Sequence, residues 1–165
     1  MGFFDDLFNR NPTRDWQAEK NLVLVLDIDQ EAFCGIAIGD DARRLSKLGP
    51  AEDAASARNG WYRYPSRGFD VTAEQGRVVE FQFRFDPDET YRGRVRINGN
   101  ELPLTGDITE AVILQAAGKP TERIVDDDPE GAQEITLRYG KARADWQFEL
   151  NEEGRLSSIW GGKRD

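Results

Sequence analysis

Arginine and tryptophan side chains at alternating positions are the residues of this sequence whose types and spacing could do chemistry. They occur in the strings WYRY, FQFRF, LRY and SSIW, where every second residue is aromatic or aliphatic. Aromatic anchors and arginines contribute most of the binding energy in protein interfaces. We expect a partner-binding surface formed by Trp61, Arg63, Gln82, Arg84, Arg138 and Trp160.

A second group of arginines alternates in the string YRGRVRI, which contains Arg92, Arg94 and Arg96. Alternation along a strand places three guanidinium groups on one face. Such a face could bind an anion or an acidic partner. The alternative is that these arginines form the solvated side of a hairpin.

Catalytic groups are scarce in the sequence. It contains no histidine, which is the usual general base and the commonest metal ligand. The string GIAIGDD lacks the residues of a phosphate-binding loop, and the acidic loop DDDPEG lacks the spacing of a calcium loop. We therefore predict no enzyme activity, no cofactor and no metal, with a carboxylate-based hydrolase as the remote alternative.

The charge balance restricts the class of partner. The sequence has 22 basic and 31 acidic residues, for a net charge of -9. That charge disfavours nucleic acid and membrane surfaces, which attract basic proteins. We expect a protein partner with a basic or mixed-charge surface, and the oligomeric state stays open.

One cysteine, Cys34, excludes an intramolecular disulfide and a cysteine zinc site. Its apolar surroundings favour a small buried side chain.

The first residues, MGFFDDLF, lack the positive region of a signal peptide. A cytoplasmic location is therefore expected. The segment 1–18 is predicted to be an amphipathic helix or arm that docks on the protein's own body or on a partner.

Two stretches repeat the same order of residue types, GDDARRLSKLGP and GDITEAVILQAAGKP. A likeness that continues downstream over about 70 residues indicates an internal duplication. The boundaries are a first repeat at 19–90 and a second at 91–165, together forming one compact domain. The aligned pairs are Arg63-Tyr64 with Arg138-Tyr139, Phe69 with Phe148, Phe81 with Ile159, and the EQGR turn with EEGR.

Each repeat begins with a short helix and continues as strands. Asp40 or Asp41 is the predicted N-cap of the first helix and Thr109 that of the second, and Gly49 and Gly118 lie where a helix end requires a left-handed residue. The string VVEFQFRF alternates, with Val79, Phe81, Phe83 and Phe85 on one face, and the Asn98-Gly99 pair predicts a hairpin. The fold class is therefore α+β, two tandem repeats of a short helix followed by antiparallel strands, with the helices packed on one face of one long antiparallel sheet.

This repeat resembles that of the beta-lactamase-inhibitor-protein-like superfamily, which includes the SmpA/OmlA outer-membrane-assembly lipoproteins. The resemblance rests on the short helix, the LG.P string, the aromatic WYRY and the strand turn that follows. The resemblance runs from about Gly35 to Trp160 in both halves. It implies binding of other proteins through the exposed sheet face. The chain lacks the paired cysteines of the secreted inhibitors.

The repeat also predicts which side of the sheet is free. Tyr62 and Tyr64 align with Leu137 and Tyr139, so the face of the sheet that carries these side chains is assigned to the core. The opposite phase, which carries Trp61 and Trp160, then points to solvent. The alternative is that a neighbouring segment covers these two rings, whereas Trp16 and Trp146 are expected in the core or at an edge.

These patterns favour a non-catalytic inhibitor, immunity or adaptor protein. A small-ligand sensor with a closed apolar pocket is the first alternative, and a hydrolase without histidine is the second.

Overall fold

A computed structural model describes residues 10–127, 131 and 133–164 of the chain. Strand accounts for 43% and helix for 15%, so the fold is α+β and dominated by sheet. Strands β1 to β6 are Val25–Asp27, Ala32–Phe33, Ile36–Ala37, Trp61–Tyr64, Phe69–Glu74 and Arg77–Arg84. Strands β7 to β12 are Arg94–Ile97, Asn100–Glu101, Glu122–Asp127, Gln133–Gly140, Ala144–Leu150 and Leu156–Lys163. The helices are the 3₁₀ segments Ala42–Leu48 and Pro65–Arg67 and the α-helices Ala54–Arg58 and Glu110–Ala117.

Seven strands form an antiparallel sheet, as the sequence predicted, and the other five strands form a second, smaller sheet. The larger sheet has seven strands in the order β4-β5-β6-β12-β11-β10-β9, and all its pairs are antiparallel. The smaller sheet has five strands in the order β3-β2-β1-β7-β8, in which β1 and β7 are parallel. A parallel pair joins segments far apart in sequence, so no local pattern indicates it.

The helices and the small sheet cover one face of the seven-stranded sheet, which we call the inner face. Leu45 of the first 3₁₀ segment and Ile113 of the Glu110–Ala117 helix belong to one core cluster with the inner-face side chains. Phe33 of the small sheet packs edge-on against Phe69 and Phe83 at 4.8 and 5.0 Å between ring centroids. The opposite side of the sheet, the outer face, carries mostly polar side chains.

The predicted helix ends are largely confirmed. Asp41 accepts a hydrogen bond from the Arg43 N–H, whereas the Thr109 side chain makes no capping hydrogen bond, contrary to expectation. Gly49 and Gly118 end their helices at φ 83° and 76°, a backbone conformation that a side chain disfavours.

The predicted alternation in β6 is wrong at its first position. Val78 is fully buried and Val79 is only half-buried, because the register with β5 shifts between Thr72 and Ala73. A bulge inserts one residue into a strand and changes which side chain faces the core. Phe81 and Phe83 are fully buried, as expected, and Phe85 is partly buried.

Two matched sets of contacts tie the helices to the seven-stranded sheet. The Tyr64 hydroxyl donates to the Gly49 carbonyl at 2.9 Å, and the Tyr139 hydroxyl donates to the Gly118 carbonyl at 3.0 Å. Each tyrosine is therefore fixed to the residue that ends the helix of its own segment. The carbonyl of the residue before each tyrosine also accepts a backbone hydrogen bond from the connection that follows the helix. Glu52 N–H donates to the Arg63 carbonyl, and Thr121 N–H donates to the Arg138 carbonyl.

The amino-terminal segment, predicted to be a helix or an arm, is described from residue 10 onward. Residues 10–18 contain a turn at 12–15 and no helix. The buried Thr13 hydroxyl accepts from the Ala51 N–H at 2.8 Å, and the Asn11 amide donates to the Ala51 carbonyl at 2.6 Å. This stretch is thus fixed to the body of the protein. Phe3, Phe4, Leu7 and Phe8, on which the amphipathic pattern rests, lie outside the described residues.

Glu31 is a buried carboxylate that joins the two sheets. It is 6% exposed and accepts hydrogen bonds from the backbone N–H groups of Arg143 and Ala144, both at 2.8 Å to Oε1. These donors lie at the start of β11, whereas Glu31 follows β1. The carboxylate therefore joins a turn of the smaller sheet to backbone donors at the start of a strand of the larger one.

Replacing Glu31 with alanine leaves the Arg143 and Ala144 N–H groups buried without acceptors. We expect Glu31→Ala to lower the free energy of unfolding by about 2 kcal/mol, as measured by urea denaturation. Glu152→Ala, at an exposed turn, serves as the control and should stay within about 0.5 kcal/mol of the wild type. Equal effects of the two substitutions would contradict the role given to Glu31.

Candidate binding face of the seven-stranded sheet

The strand register places four of the predicted partner-binding residues in one row across the outer face. Arg63 lies beside Asp70, Asp70 beside Gln82, and Gln82 beside Trp160. The row continues from Trp160 through Gln147 to Arg138 and ends at Glu122. The other two predicted residues, Trp61 and Arg84, lie in the adjacent rows on the same face. All six are thus brought to one side of one sheet.

Asp70 is the centre of a polar cluster at the β4 end of this face. Its carboxylate is 3% exposed and accepts two hydrogen bonds from the Arg84 guanidinium, at 2.9 and 2.8 Å. The Trp61 indole N–H donates to the same carboxylate at 3.1 Å, and Arg63 Nε lies 3.6 Å away. We call Trp61, Arg63, Asp70 and Arg84 the Asp70 cluster.

The arginines of the Asp70 cluster are less available than the sequence predicted. The Arg84 side chain is 14% exposed and also pairs with Glu89 at 2.5 Å. These contacts raise the pKa of the Arg84 guanidinium. Arg63 is 29% exposed and stacks over the Trp61 ring at 4.6 Å. Arg84 is therefore committed to contacts within the protein, and Arg63 retains only part of its surface for a partner.

Trp61 is the exposed aromatic side chain of the outer face. It is 41% exposed although Asp70 and Arg63 hold its ring from two sides. A large ring that is fixed in place loses little conformational entropy when it is buried by a partner. Trp61 thus has the properties of a preorganised anchor.

Trp160 lies flat on the sheet instead of projecting from it. A Cβ atom at Gly162 would come within 2.4 Å of the Trp160 ring, so the ring occupies the space above that glycine. Trp160 is half-buried and its side chain forms a hydrogen bond with Glu80. Burial raises the pKa of the Glu80 carboxyl above its ordinary value of 4.5. The second predicted tryptophan therefore forms part of the floor of the face.

The β9 end of the face carries an excess of negative charge. Arg138 pairs with Glu122 at 2.7 Å, which neutralises the last two positions of the row. The acidic side chains of the outer face outnumber the arginines and include Asp70, Glu80, Glu122, Asp126, Glu134, Asp145 and Glu149.

Arg92, Arg94 and Arg96 do not belong to this face. Arg94 and Arg96 lie on β7 in the five-stranded sheet, and Arg92 precedes it. All three are exposed, and Arg94 pairs with Glu101 across the β7–β8 hairpin. The Asn98-Gly99 turn of this hairpin is confirmed, with φ 52° and 71°. These arginines therefore lie on a different surface from the Asp70 cluster.

Sequence reasoning missed Asp70 and Glu80, the two carboxylates that position the tryptophans. A signal for Asp70 was present, since it lies between Phe69 and Val71 and so has the polar phase of its strand. Its pairing with Arg63 follows from the hairpin register, which the sequence alone did not provide. The hydrogen bond between Glu80 and Trp160 depends on the β6–β12 pairing and has no local signal.

Two clefts lined by described residues are open to solvent. One of about 500 Å³ lies between the Glu110–Ala117 helix and the start of β9, and one of about 680 Å³ lies beside Trp16 and Tyr62. Trp16 is partly buried against the core, and Trp146 is fully buried, as expected. Within the described ranges, no group of three or more acidic or cysteine side chains converges as a metal site would require.

Cys34 is half-buried and not fully enclosed, and burial raises the pKa of its thiol. None of the described helices has the length and apolar character needed to cross a membrane.

Comparisons with known proteins show a fold but no family. No family model matches the chain, and no curated protein matches it significantly. The crystal structure of a DUF4309 family protein, YjgB from Bacillus subtilis, is similar to it with a TM-score of 0.51 and 13% identity. The likeness covers 79% of this chain and 83% of that one. At this identity it shows a shared fold alone.

Asp70→Asn tests whether the Asp70 cluster holds Trp61. Loss of the buried charge leaves Arg84 without its main partner, and we expect the free energy of unfolding to fall by about 2 kcal/mol. The Trp61 indole N–H resonance should also shift, because its acceptor is weakened. A variant with unchanged stability and an unchanged resonance would contradict the cluster.

Glu80→Gln tests the environment of Trp160 through pH. A carboxyl whose pKa is raised on folding contributes stability below its ordinary value of 4.5, and this contribution is lost as pH rises through the folded value. We expect Glu80→Gln to gain stability relative to the wild type between pH 4 and pH 7 in thermal unfolding. Below pH 4 the difference in stability between the variant and the wild type should not depend on pH. A variant that loses stability relative to the wild type from pH 4 to pH 7 would rule out burial as the environment of Glu80.

Proposed function

We propose that the chain is a non-catalytic protein-binding module of the inhibitor, immunity or adaptor type, and that it binds through the outer face of the seven-stranded sheet. The observation that carries the proposal is Trp61, a tryptophan 41% exposed yet fixed by Asp70 and Arg63. Interface hot spots are enriched in tryptophan and arginine, and rigid anchors bind at low entropic cost.

The polar row from Arg63 to Glu122 supports a broad contact around this anchor. Gln82, Gln147 and Trp160 offer amide and aromatic surface at its centre, while Arg63 and Arg138 keep partial exposure. The acidic excess at the β9 end favours a partner with a basic or mixed-charge surface. In this proposal the module acts by covering the partner's site.

The two alternatives have less support. A small-ligand sensor requires an enclosed apolar cavity, whereas the two larger clefts that described residues line are open. A carboxylate-based hydrolase requires two acids across a cleft, whereas Glu80, whose pKa is raised, lies on a flat sheet beside a tryptophan.

We also infer that the fold is an internal duplication, related to the beta-lactamase-inhibitor-protein-like superfamily. The matched tyrosine-to-glycine and arginine backbone contacts of the two segments support this inference. A corresponding pairing of Asp41 with Arg77 and of Thr109 with Arg155 adds to it. A cytoplasmic location is part of the proposal, because the fold needs no disulfide.

Trp61→Ala tests the binding face in a pull-down from lysate of the native source, read by mass spectrometry. The ring is part-exposed but donates to the buried Asp70, so we expect the free energy of unfolding to fall by about 1–2 kcal/mol, which leaves the variant folded. A specific partner should be retained by the wild type and lost by Trp61→Ala. Val23→Ala removes another exposed apolar side chain away from the seven-stranded sheet, and this control should retain the partner. Loss of the partner from both variants, or from neither, would contradict the proposal.

A further inference from the structure

The seven-stranded sheet has two edges, and the described residues cover only one of them. At the β4 edge, the Glu52 N–H donates to the Arg63 carbonyl, and the Ala54–Arg58 helix packs alongside. At the other edge, β9 pairs with β10 alone. Within the described part of the chain, no backbone hydrogen bond joins Glu122–Asp127 to any other segment. Alternate N–H and C=O groups of β9 therefore face outward without a protein partner.

The shape of β9 suits it to pairing with another strand. Its register with β10 runs without interruption from Glu122 to Asp127, whereas the β5–β6 and β11–β12 pairs contain irregularities. Natural proteins usually blunt an open edge with bulges, prolines or charges. Only charges are present on β9. Val125, in the phase that faces the core, remains 37% exposed.

The charges at this edge determine which strand can pair with it. Asp126 lies directly opposite Glu134 on the outer face, and both are exposed. Like charges in opposite positions destabilise a sheet unless a cation lies nearby. The ion pairs of this corner are those of Arg123 with Glu110 and of Arg138 with Glu122. Among the described residues, no cation is paired with Asp126 or Glu134.

A second copy of this chain would meet repulsion at the edge in the register centred on Ile124. Antiparallel self-pairing centred on Ile124 would place Glu122 opposite Asp126 of the other copy, and the same repulsion would occur at both ends. An incoming strand with Lys or Arg on the outer face would instead place a cation next to Asp126, with Glu134 one strand further into the sheet. An open cleft of about 500 Å³ beside the start of β9, lined by Leu114, Pro120 and Arg123 among others, could receive an apolar side chain of that strand.

We propose that β9 is a second binding site, which accepts an extended peptide segment with alternating basic and apolar residues as an eighth strand of the sheet. The backbone of the peptide satisfies the outward N–H and C=O groups, and its basic side chains lie beside Asp126, where they offset the repulsion between Asp126 and Glu134. The site lies about 29 Å from Trp61, across six strand spacings, so it does not depend on the proposed outer-face anchor.

The test uses a fluorescent eight-residue peptide of alternating lysine and valine, with binding measured by fluorescence anisotropy. Controls are the same peptide with every backbone nitrogen methylated, and a glutamate-valine peptide. The double variant Asp126→Lys/Glu134→Lys is compared with Glu19→Lys/Glu152→Lys, which makes the same charge change at exposed positions elsewhere. Amide hydrogen exchange with and without the peptide locates the bound strand.

We expect the lysine-valine peptide to bind, and binding to fall at least tenfold with the methylated peptide and with Asp126→Lys/Glu134→Lys. Glu19→Lys/Glu152→Lys and Trp61→Ala should bind as the wild type does, and β9 amides should exchange at least tenfold more slowly in the complex. Equal binding of both lysine-containing peptides, protection outside β9, or no binding at about 1 mM peptide would overturn the proposal. So would a homodimer with β9 already protected.

Discussion

The pairing of β6 with β12 is the interaction on which the candidate binding face depends. It aligns Gln82 with Trp160 and Phe83 with Ile159, so one register fixes both sides of the sheet. On the inner side it extends the apolar core from one half of the chain to the other. On the outer side it joins two short polar rows into one that crosses seven strands. Because side chains alternate with a period of two, a slip of one residue would exchange the two faces of β12.

The outer face shows how a protein can expose a tryptophan without leaving it mobile. Asp70 is buried on a surface that is otherwise half-exposed, and its charge is balanced by Arg84 and Arg63. The cost of burying that carboxylate is offset only when its hydrogen bonds are complete, which couples the positions of the three partners. Arg84 therefore acts as a support, and the free binding surface is concentrated on Trp61 and the centre of the row. The arginines predicted for this face therefore offer a partner less positive charge than the sequence indicated.

Local patterns predicted the elements of this fold better than their arrangement. The Asn98-Gly99 hairpin, the glycine helix ends and the polar phase that contains Trp61 and Arg138 all follow from short-range chemistry. The alignment of Phe69 with Phe148 is off by two residues, since Tyr64 pairs with Phe69 whereas Tyr139 pairs with Trp146. The assignment of side chains to the two faces is unaffected, because residues two apart in a strand lie on the same face. The parallel β1–β7 pair, the bulge at Val79 and the position of Asp70 depend on contacts distant in sequence.

The most direct test of the outer face is site-specific photo-crosslinking in cells of the native source. A benzophenone amino acid placed at Gln82 lies at the centre of the polar row, and the same amino acid at exposed Val23 is the matched control. A discrete protein adduct from position 82 that is absent from position 23 is the result this account predicts. No adduct from position 82, or the same adducts from both positions, would contradict a protein-binding face on the seven-stranded sheet.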